Sequence, residues 1–235
     1  MSVAIFLPVR KGSVRLPEKN TKPFGGMKGG LLELKLKQLF CLDVCEIILS
    51  TDDARAKEIA KKIDPVGSKI KIFDRPKDLA MDSTRIEDLI KHVPTLSTCT
   101  YLLWTHVTSP FATSKIYARA LNQFFEKQDS YDSLVSVSSF KKYLWYEKHD
   151  QIMNSPSFEK WPQTQSLQDL FILNNAFFMA HRGVYVERAD RLGNKPLKIE
   201  LSEVEAIDID TEEDFFIAEA VYEKHIKRKE FEKNI

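Results

Sequence analysis

The sequence has few cysteines, no long hydrophobic run and almost no excess of charge of either sign. Its three cysteines, Cys41, Cys45 and Cys99, lack the paired C-x-x-C blocks of a zinc site, so we expect small buried thiols in a reducing compartment. No segment reaches the roughly 18 apolar residues of a membrane-spanning helix. The apolar run at residues 4–9 is too short for a secretory signal. These absences predict a cytoplasmic protein without a membrane segment.

The charge balance excludes a further class of function. Lys and Arg number 35 and Asp and Glu 34, which gives a formal net charge of +1. A dedicated nucleic-acid-binding protein usually carries a strong basic excess, so we expect no nucleic-acid partner. The 43% of hydrophobic and 29% of charged residues are ordinary for a globular protein. We predict that residues 1–235 form one domain.

Short apolar runs alternate along the chain with segments whose apolar residues recur at helical spacing. This alternation predicts an α/β fold with a three-layer, mostly parallel sheet and right-handed crossovers. In the helix predicted over residues 31–42, we place Glu33, Lys35 and Lys37 on the face away from the core. The expected strands cover residues 3–9, 45–49, 70–73, 100–104, 133–138 and 174–180. The expected helices cover residues 31–42, 54–63, 85–93, 115–126 and 212–229.

Residues from about 140 to 170 interrupt the alternation. This segment holds two prolines, two tryptophans and many charges, with no clear period. Long loops without structure of their own are uncommon in compact domains. We therefore predict an excursion that packs on a second subunit or covers the active site.

The loop after the first predicted strand is strongly basic. Residues 10–22 contain five basic side chains and one acidic one, together with Gly12. Parallel sheets bind ligands beyond the carboxyl ends of their strands, and arginine and lysine there suit a polyphosphate. The loop is not a Walker A motif, since G-x-x-x-x-G-K-[ST] is absent. An ordinary solvated basic loop is the alternative.

A pair of carboxylates lies near the other end of the sequence. Asp208 and Asp210 are two residues apart in a segment that we expect to be extended, so both would face one way while Ile207 and Ile209 pack inward. Adjacent carboxylates repel unless a cation lies between them, and Mg²⁺ prefers one or two carboxylates with substrate phosphates. The alternative is that the aspartates only cap the following helix, where Thr211 is the expected N-cap residue.

These motifs resemble those of the acylneuraminate cytidylyltransferases, also called CMP-sialic acid synthetases. The loop reads R-x-G-S-x-R-x-P-x-K-N from Arg10, and the late motif reads I-D-I-D-T from Ile207. The segments L-S-T-D at 49–52, R-P at 75–76 and T-S-P at 108–110 follow in register. The resemblance covers nearly the whole chain and implies a Rossmann-like nucleotidyltransferase domain with a small dimerisation arm, which forms a homodimer.

The resemblance also implies roles for individual residues. Arg10, Lys19, Asp208 and Asp210 would be catalytic, with Mg²⁺ as cofactor on the two aspartates. The CTP site would consist of Arg10, Gly12, Ser13, Lys19, Asn20, Arg75 and Asp82. The implied reaction transfers CMP from CTP to the anomeric hydroxyl of a sialic-acid-like 2-keto sugar acid and releases pyrophosphate.

The residues expected to hold the sugar depart from the family pattern. His106 stands where the family has a glutamine, and Thr164 and Ile172 stand where it has arginines. We predict a sugar site formed by His106, Gln165, Asn174 and Lys142, in which His106 serves as a proton acceptor. The alternative for His106 is a hydrogen-bonded structural residue at the end of a strand. Other acidic acceptors, such as KDO or a legionaminic or pseudaminic acid, remain alternatives.

Two further interpretations remain open at the level of sequence. A sugar transferase that uses a nucleotide-sugar donor would also carry Asp-x-Asp, although that motif usually lies mid-chain. A descendant of the family that keeps the fold without turnover is the non-catalytic alternative. The missing arginines favour it, whereas Arg10, Lys19, Asp208 and Asp210 argue against it.

Overall fold

The structure is a computed structural model that describes residues 2–13, 15–155 and 160–233, with side chains up to residue 224. The strands are β1 Val3–Val9, β2 Glu46–Thr51, β3 Ile70–Asp74, β4 Tyr101–Thr105, β5 Ser133–Phe140, β6 Trp145–Tyr146, β7 Gln151–Ile152, β8 Leu170–His181 and β9 Pro196–Glu200. The helices are α1 Gly30–Phe40, α2 Ala54–Ile63, α3 Ile86–His92, α4 Ser114–Glu126, α5 Arg182–Arg188 and α6 Glu212–Lys233.

The central sheet has seven strands in the order β3-β2-β1-β4-β8-β5-β9. Strand β8 runs antiparallel to both of its neighbours, and the other pairings are parallel. The predicted α/β class with a mostly parallel sheet is therefore confirmed. Strand β1 is apolar throughout because the sheet is covered on both faces. Ile5 and Leu7 join the core on one face, and Phe6 joins the core on the other.

Helices cover both faces of the sheet and produce the three predicted layers. Helices α1, α2, α4 and α6 pack on the face that carries Ile5 and Leu7. Helices α3 and α5 cover the opposite face through residues such as Leu89 and Tyr185. The parallel strands β1 to β4 end at one edge of the sheet, where the chain continues into the polar loops that form the candidate site.

The prediction for Lys35 is wrong. Lys35 lies four residues from both Leu31 and Leu39, so it belongs to the buried stripe of α1. Its side chain is fully buried, at 0% exposure. The lysine was assigned to the outer face because it is charged, although its spacing places it in the core.

Several local predictions also differ from the structure. Residues 207–210, which we expected to be extended, pair with no strand of the sheet; the Ile209 N–H donates to the Thr108 carbonyl at 2.9 Å, and Lys19 contacts the segment from the basic loop. Helix α5 and strand β9 were not predicted. All three cysteines are free, but only Cys99 is buried, so the expectation of burial is wrong for Cys41 and Cys45.

The segment around residues 140–170 contains little regular structure. Strands β6 and β7 pair as a small antiparallel hairpin, and Thr164–Ser166 forms a single 3₁₀ turn. Residues 156–159 of this predicted excursion lie outside the described residues. Within the described chain, no helix is both long and apolar enough to cross a bilayer.

Candidate active site

A cavity of about 370 Å³ opens at the carboxyl edge of the parallel strands. This volume lies within the usual range for small-molecule sites. All seven residues predicted to bind the nucleotide line this cavity, namely Arg10, Gly12, Ser13, Lys19, Asn20, Arg75 and Asp82. Trp104, His106 and Thr108 contribute from β4 and the loop that follows it. The fold thus gathers the basic loop and the end of β4 around one space.

The basic loop is held in place by hydrogen bonds to its backbone. The Lys11 N–H donates to Asp52 Oδ1 at 2.7 Å, and the Asn20 side-chain amide donates to the Arg10 carbonyl at 3.2 Å. Asn20 therefore braces the loop in addition to lining the cavity. Gly30, at the start of α1, has φ +65°, and a Cβ there would lie 2.1 Å from the Lys22 carbonyl oxygen. Only glycine allows the loop to lie this close to the helix.

Lys19 connects the basic loop to the late carboxylate pair. Its ammonium donates to the Ile209 carbonyl at 2.8 Å and to Asp210 Oδ1 at 3.1 Å. Arg15 Nη2 also lies 3.1 Å from Asp210 Oδ1. At the other side of the cavity, Arg10 forms an ion pair with Asp82. Two of the carboxylates near the cavity are thus already engaged with cations of the loop.

Asp208 has the chemistry of a cation ligand. Its Oδ1 atom is buried and has no hydrogen-bond partner. Burial raises the pKa of Asp208 above its usual range, and the negative charge of Asp210 adds to that effect. An orphaned carboxylate oxygen beside a second carboxylate fits a divalent cation such as Mg²⁺, which accepts two carboxylates with substrate oxygens. No group of three or more potential metal ligands occurs among the described residues, so phosphates would have to complete the shell.

The helix that follows the carboxylate pair begins with the predicted cap. Thr211 Oγ1 accepts from the Asp214 N–H at 3.1 Å, and Asp214 Oδ2 accepts from the Thr211 N–H at 2.8 Å. Capping is therefore carried out by Thr211 and Asp214. This leaves the side chains of Asp208 and Asp210 out of the cap, which removes the alternative that the pair serves only to cap α6.

Arg75 lies in the wall of the cavity at the end of β3. Its side chain is only 7% exposed and donates to Ser50 Oγ at 3.4 Å and to the Ser50 carbonyl at 3.3 Å. Burial lowers the pKa of Arg75 to about 10, against the opposing effect of nearby Asp52. The guanidinium remains charged at neutral pH, so it supplies a fixed positive charge to the cavity.

His106 is a hydrogen-bond acceptor rather than an available base. Its Nε2 accepts from the Trp104 indole N–H at 3.0 Å, which places the ring proton on Nδ1. Burial lowers the pKa of His106 to about 3, assisted by the charges of Arg191, Lys19, Lys35 and Arg75. The expected role as a proton acceptor is therefore wrong, because the lone pair of His106 Nε2 already accepts the Trp104 indole proton and the ring stays neutral.

None of the other three residues predicted to bind the sugar, Asn174, Gln165 and Lys142, lines the cavity. Asn174 donates to Ser138 Oγ at 3.0 Å and precedes Asn175, whose φ is +58°. Because Phe177 pairs with Thr105, the last residue of β4, Asn174 lies just beyond the end of that strand. Gln165 and Lys142 are exposed in the 140–170 segment and do not line the cavity.

The comparisons with known proteins agree with this geometry. A family model described as cytidylyltransferase matches residues 4–232. The chain belongs to the cytidylyltransferase family. Members of this family transfer CMP from CTP, which decides against the interpretation as a sugar transferase. The match is to the family in general and does not single out its acylneuraminate branch.

Solved structures support the fold of this cytidylyltransferase. A CMP:2-keto-3-deoxy-manno-octonic acid synthetase complexed with CTP aligns with a TM-score of 0.66 and 11% identity over 96% of this chain and 100% of that one. A 4-diphosphocytidyl-2C-methyl-D-erythritol synthase from Anaerococcus prevotii aligns with a TM-score of 0.61 and 13% identity over 94% of this chain and 97% of that one. No curated protein sequence matches the chain at a significant level.

Sequence reasoning missed three cationic residues near the site of this cytidylyltransferase. Arg15 contacts Asp210, and Lys35 donates to the Ser109 carbonyl at 2.8 Å and the Ala112 carbonyl at 2.9 Å, which fixes the loop after β4. Arg191 lies close enough to lower the pKa of His106. Helical spacing was a usable signal for Lys35. For Arg191 no local pattern was available, because its neighbours come from distant strands.

We predict that His106 stays neutral, as the Nδ1–H tautomer, down to about pH 4. Its pKa is lowered from 6.5 to about 3, so the unfolded chain takes up a proton at His106 before the folded protein does. The contribution of His106 to stability is therefore fully present above pH 6.5 and is lost as the pH falls toward 3. Nitrogen-15 NMR of the imidazole, assigned with His106→Gln, measures this directly. A titration midpoint near 6.5 would contradict it.

Proposed function

We propose that this cytidylyltransferase transfers CMP from CTP to the anomeric hydroxyl of a sialic-acid-like 2-keto sugar acid. The observation that carries the proposal is a cavity lined by Arg10, Lys19 and Arg75, in which Lys19 donates a hydrogen bond to Asp210 of the carboxylate pair. Positive charge at strand ends binds phosphates, and paired carboxylates bind a divalent cation. The acceptor class also rests on the motifs that resemble those of CMP-sialic acid synthetases, and one similar structure is a CMP-sugar acid synthetase.

The nucleotide is assigned to the side of the cavity formed by β1, β2 and β3. Arg10, Ser13 and Lys19 would bind the triphosphate, with Gly12 at φ +76° presenting the backbone of the loop. Arg75 and Asn20 would lie against the cytidine. The Arg10–Asp82 ion pair spans the cavity, so we expect it to open when phosphate oxygens compete for the guanidinium.

Asp208 and Asp210 would hold Mg²⁺, which when bound would neutralise negative charge on the phosphates. The chain itself supplies much of this charge stabilisation. In the reaction the hydroxyl oxygen bonds to the α-phosphorus and releases its proton to solvent, the bond from that phosphorus to the bridging oxygen breaks, and pyrophosphate leaves. Lys19 and the arginines of the loop face the charge that develops on the phosphoryl oxygens. Positioning and electrostatics thus account for catalysis without a covalent intermediate.

The first prediction from this proposal concerns nucleotide selectivity. CTP should raise the melting temperature more than UTP, ATP or GTP, and Mg²⁺ should increase the shift. A ligand at 100 times its dissociation constant stabilises the folded state by about 2.7 kcal/mol. Thermal unfolding with and without Mg²⁺ measures the effect, and Lys19→Met serves as the matched variant, which should lose the shift. Equal shifts with all four nucleotides would remove the cytidine assignment, and no shift would favour the non-catalytic alternative.

The second prediction concerns the carboxylate pair. Asp210→Asn should lower kcat for pyrophosphate release by about 100-fold or more, since it removes charge at the reacting phosphates. The stability of folding should change by about 1 kcal/mol or less, because the ion pairs of Asp210 are partly exposed. Glu213→Gln, an exposed carboxylate three residues later, is the control and should leave kcat unchanged. An Asp210→Asn enzyme with wild-type turnover and the same Mg²⁺ dependence would refute the metal assignment.

We also propose that the protein is a homodimer that associates through the 140–170 segment and the first half of β8. Apolar side chains are exposed there in one region of the sequence, with Trp161 at 69% and Trp145 at 56% exposure. Contiguous apolar surface on a soluble protein usually marks an interaction site. The exposed apolar residues are Tyr143, Trp145, Tyr146, Met153, Trp161, Phe171, Ile172 and Leu173.

The dimer proposal predicts the effect of a charge in this surface. Ile172→Glu should convert the protein from dimer to monomer, because burial of an unpaired carboxylate opposes association. Light scattering after size exclusion gives the mass. Val186→Glu, an equally exposed apolar position on α5, is the control and should remain dimeric. A wild-type protein that is monomeric at high concentration would contradict the proposal.

A further inference from the structure

The positively charged guanidinium of Arg191 lies against two aromatic rings, those of Trp104 and Phe178, near the end of β4. It lies between α5 and β9, and its Cζ atom is 3.8 Å from the centroid of the Phe178 ring and 5.1 Å from that of Trp104. Phe178 and Trp104 are paired residues of the neighbouring strands β8 and β4. Contact with two rings restricts the positions that the guanidinium can adopt.

The charge of Arg191 has no partner in the described part of the chain. Its Nη1 atom is buried and makes no hydrogen bond, and the guanidinium forms no ion pair there. The adjacent Asp190 is occupied, since its Oδ1 accepts the backbone N–H groups of Arg191 at 2.7 Å and Leu192 at 3.1 Å. Burial lowers the pKa of Arg191, as expected for a cation that is withdrawn from water. Such a group is stabilised when an anion binds to it.

The position of Arg191 relates it to the acceptor rather than to CTP. Arg191 does not itself line the cavity, but its guanidinium contacts the ring of Trp104, which does, and its charge helps to lower the pKa of the lining residue His106. The residues assigned to CTP follow β1 and β3. Arg191 contacts side chains of β4 and β8, and these two strands lie on the opposite side of β1 from β2 and β3. An anion bound at Arg191 would therefore approach the cavity from the side that the nucleotide leaves free.

We propose that Arg191 binds the carboxylate of the acidic acceptor and is the residue that selects for it. This proposal rests on the proposed function. Arginine presents a planar fork that matches a carboxylate with two hydrogen bonds, and the Nη1 atom of Arg191 has no hydrogen-bond partner among the described residues. A purely structural cation–π contact is the competing explanation, and it requires no effect of the carboxylate.

The experiment compares acids with their neutral esters. The probes are N-acetylneuraminic acid and 2-keto-3-deoxy-manno-octonic acid, each with its methyl ester, assayed by pyrophosphate release at saturating CTP and by thermal shift in the presence of CMP. Arg191→Met removes the charge but keeps the length of the side chain, and Arg191→Lys restores the charge without the fork. Arg188→Met, an exposed arginine on the same segment that contacts Asn194, is the matched control.

The wild-type protein should prefer an acid over its ester by about tenfold or more in kcat/KM. Arg191→Met should lose that preference through a higher KM for the acid, while the KM for CTP and the CTP thermal shift stay unchanged. Arg191→Lys should recover part of the preference, and Arg188→Met should keep all of it. Arg191→Met should also raise the pKa of His106 in the imidazole NMR titration, because a neighbouring positive charge is removed.

The outcomes separate the two proposals. If the acids are used or bound and Arg191→Met retains the full preference over the esters, the assignment of Arg191 is overturned and the proposed function stands. If CTP binds but the wild-type protein uses and binds neither acid, the acceptor half of the proposed function fails and Arg191 falls with it. If Arg191→Met no longer binds CTP, Arg191→Lys becomes the test: a reduced preference for the acid supports the assignment of Arg191, and a full preference overturns it.

Discussion

Lys19 makes the contact on which the geometry of the site depends. Its ammonium donates to the Ile209 carbonyl and to Asp210, which joins the loop after β1 to a segment 190 residues later in the chain. The segment 207–210 has no strand ladder of its own, so this contact and one hydrogen bond to Thr108 decide where the carboxylates lie. The same lysine lines the cavity, so its positive charge can attract phosphate oxygens as well as hold Asp210.

The second property of the site is an excess of cations at the edge of the sheet. Arg75 and Lys35 are buried there, and Arg191 is partly buried. Asp52 opposes the lowering of the Arg75 pKa, and Asp190 opposes that of Arg191, whereas burial is the cause of the shift at Lys35. Lys35 is stabilised instead by two carbonyls and the Tyr117 hydroxyl, and burial lowers its pKa to about 7. Withdrawing cations from water is unfavourable, and anionic substrates relieve that cost. Affinity for CTP follows from this arrangement, and the proposed affinity for an acidic acceptor would follow from it as well.

Much of the fold was predictable because it depends on local patterns. Apolar runs such as residues 3–9 could only be strands covered on both faces, and parallel strands require the polar loops to meet at one edge. Lys35 shows where such reasoning failed, since a charge outweighed a helical spacing that indicated burial. His106 shows a second kind of failure. Its position at the end of β4 was predicted, but its chemistry was not, because the Trp104 indole occupies the nitrogen that a base would need.

The sequence by itself determined the α/β class with its mostly parallel sheet, the membership of the cytidylyltransferases in general, and the basic and acidic motifs, because these depend on residue type and on spacing along the chain. Only the tertiary structure decided which charges meet. Strands β4 and β8 are far apart in sequence, and their antiparallel register brings Trp104 and Phe178 side by side as a platform for Arg191. Electrostatic energies fall with distance in space, not with separation in sequence. The state of His106 and the unpaired charge of Arg191 therefore exist only in the folded protein.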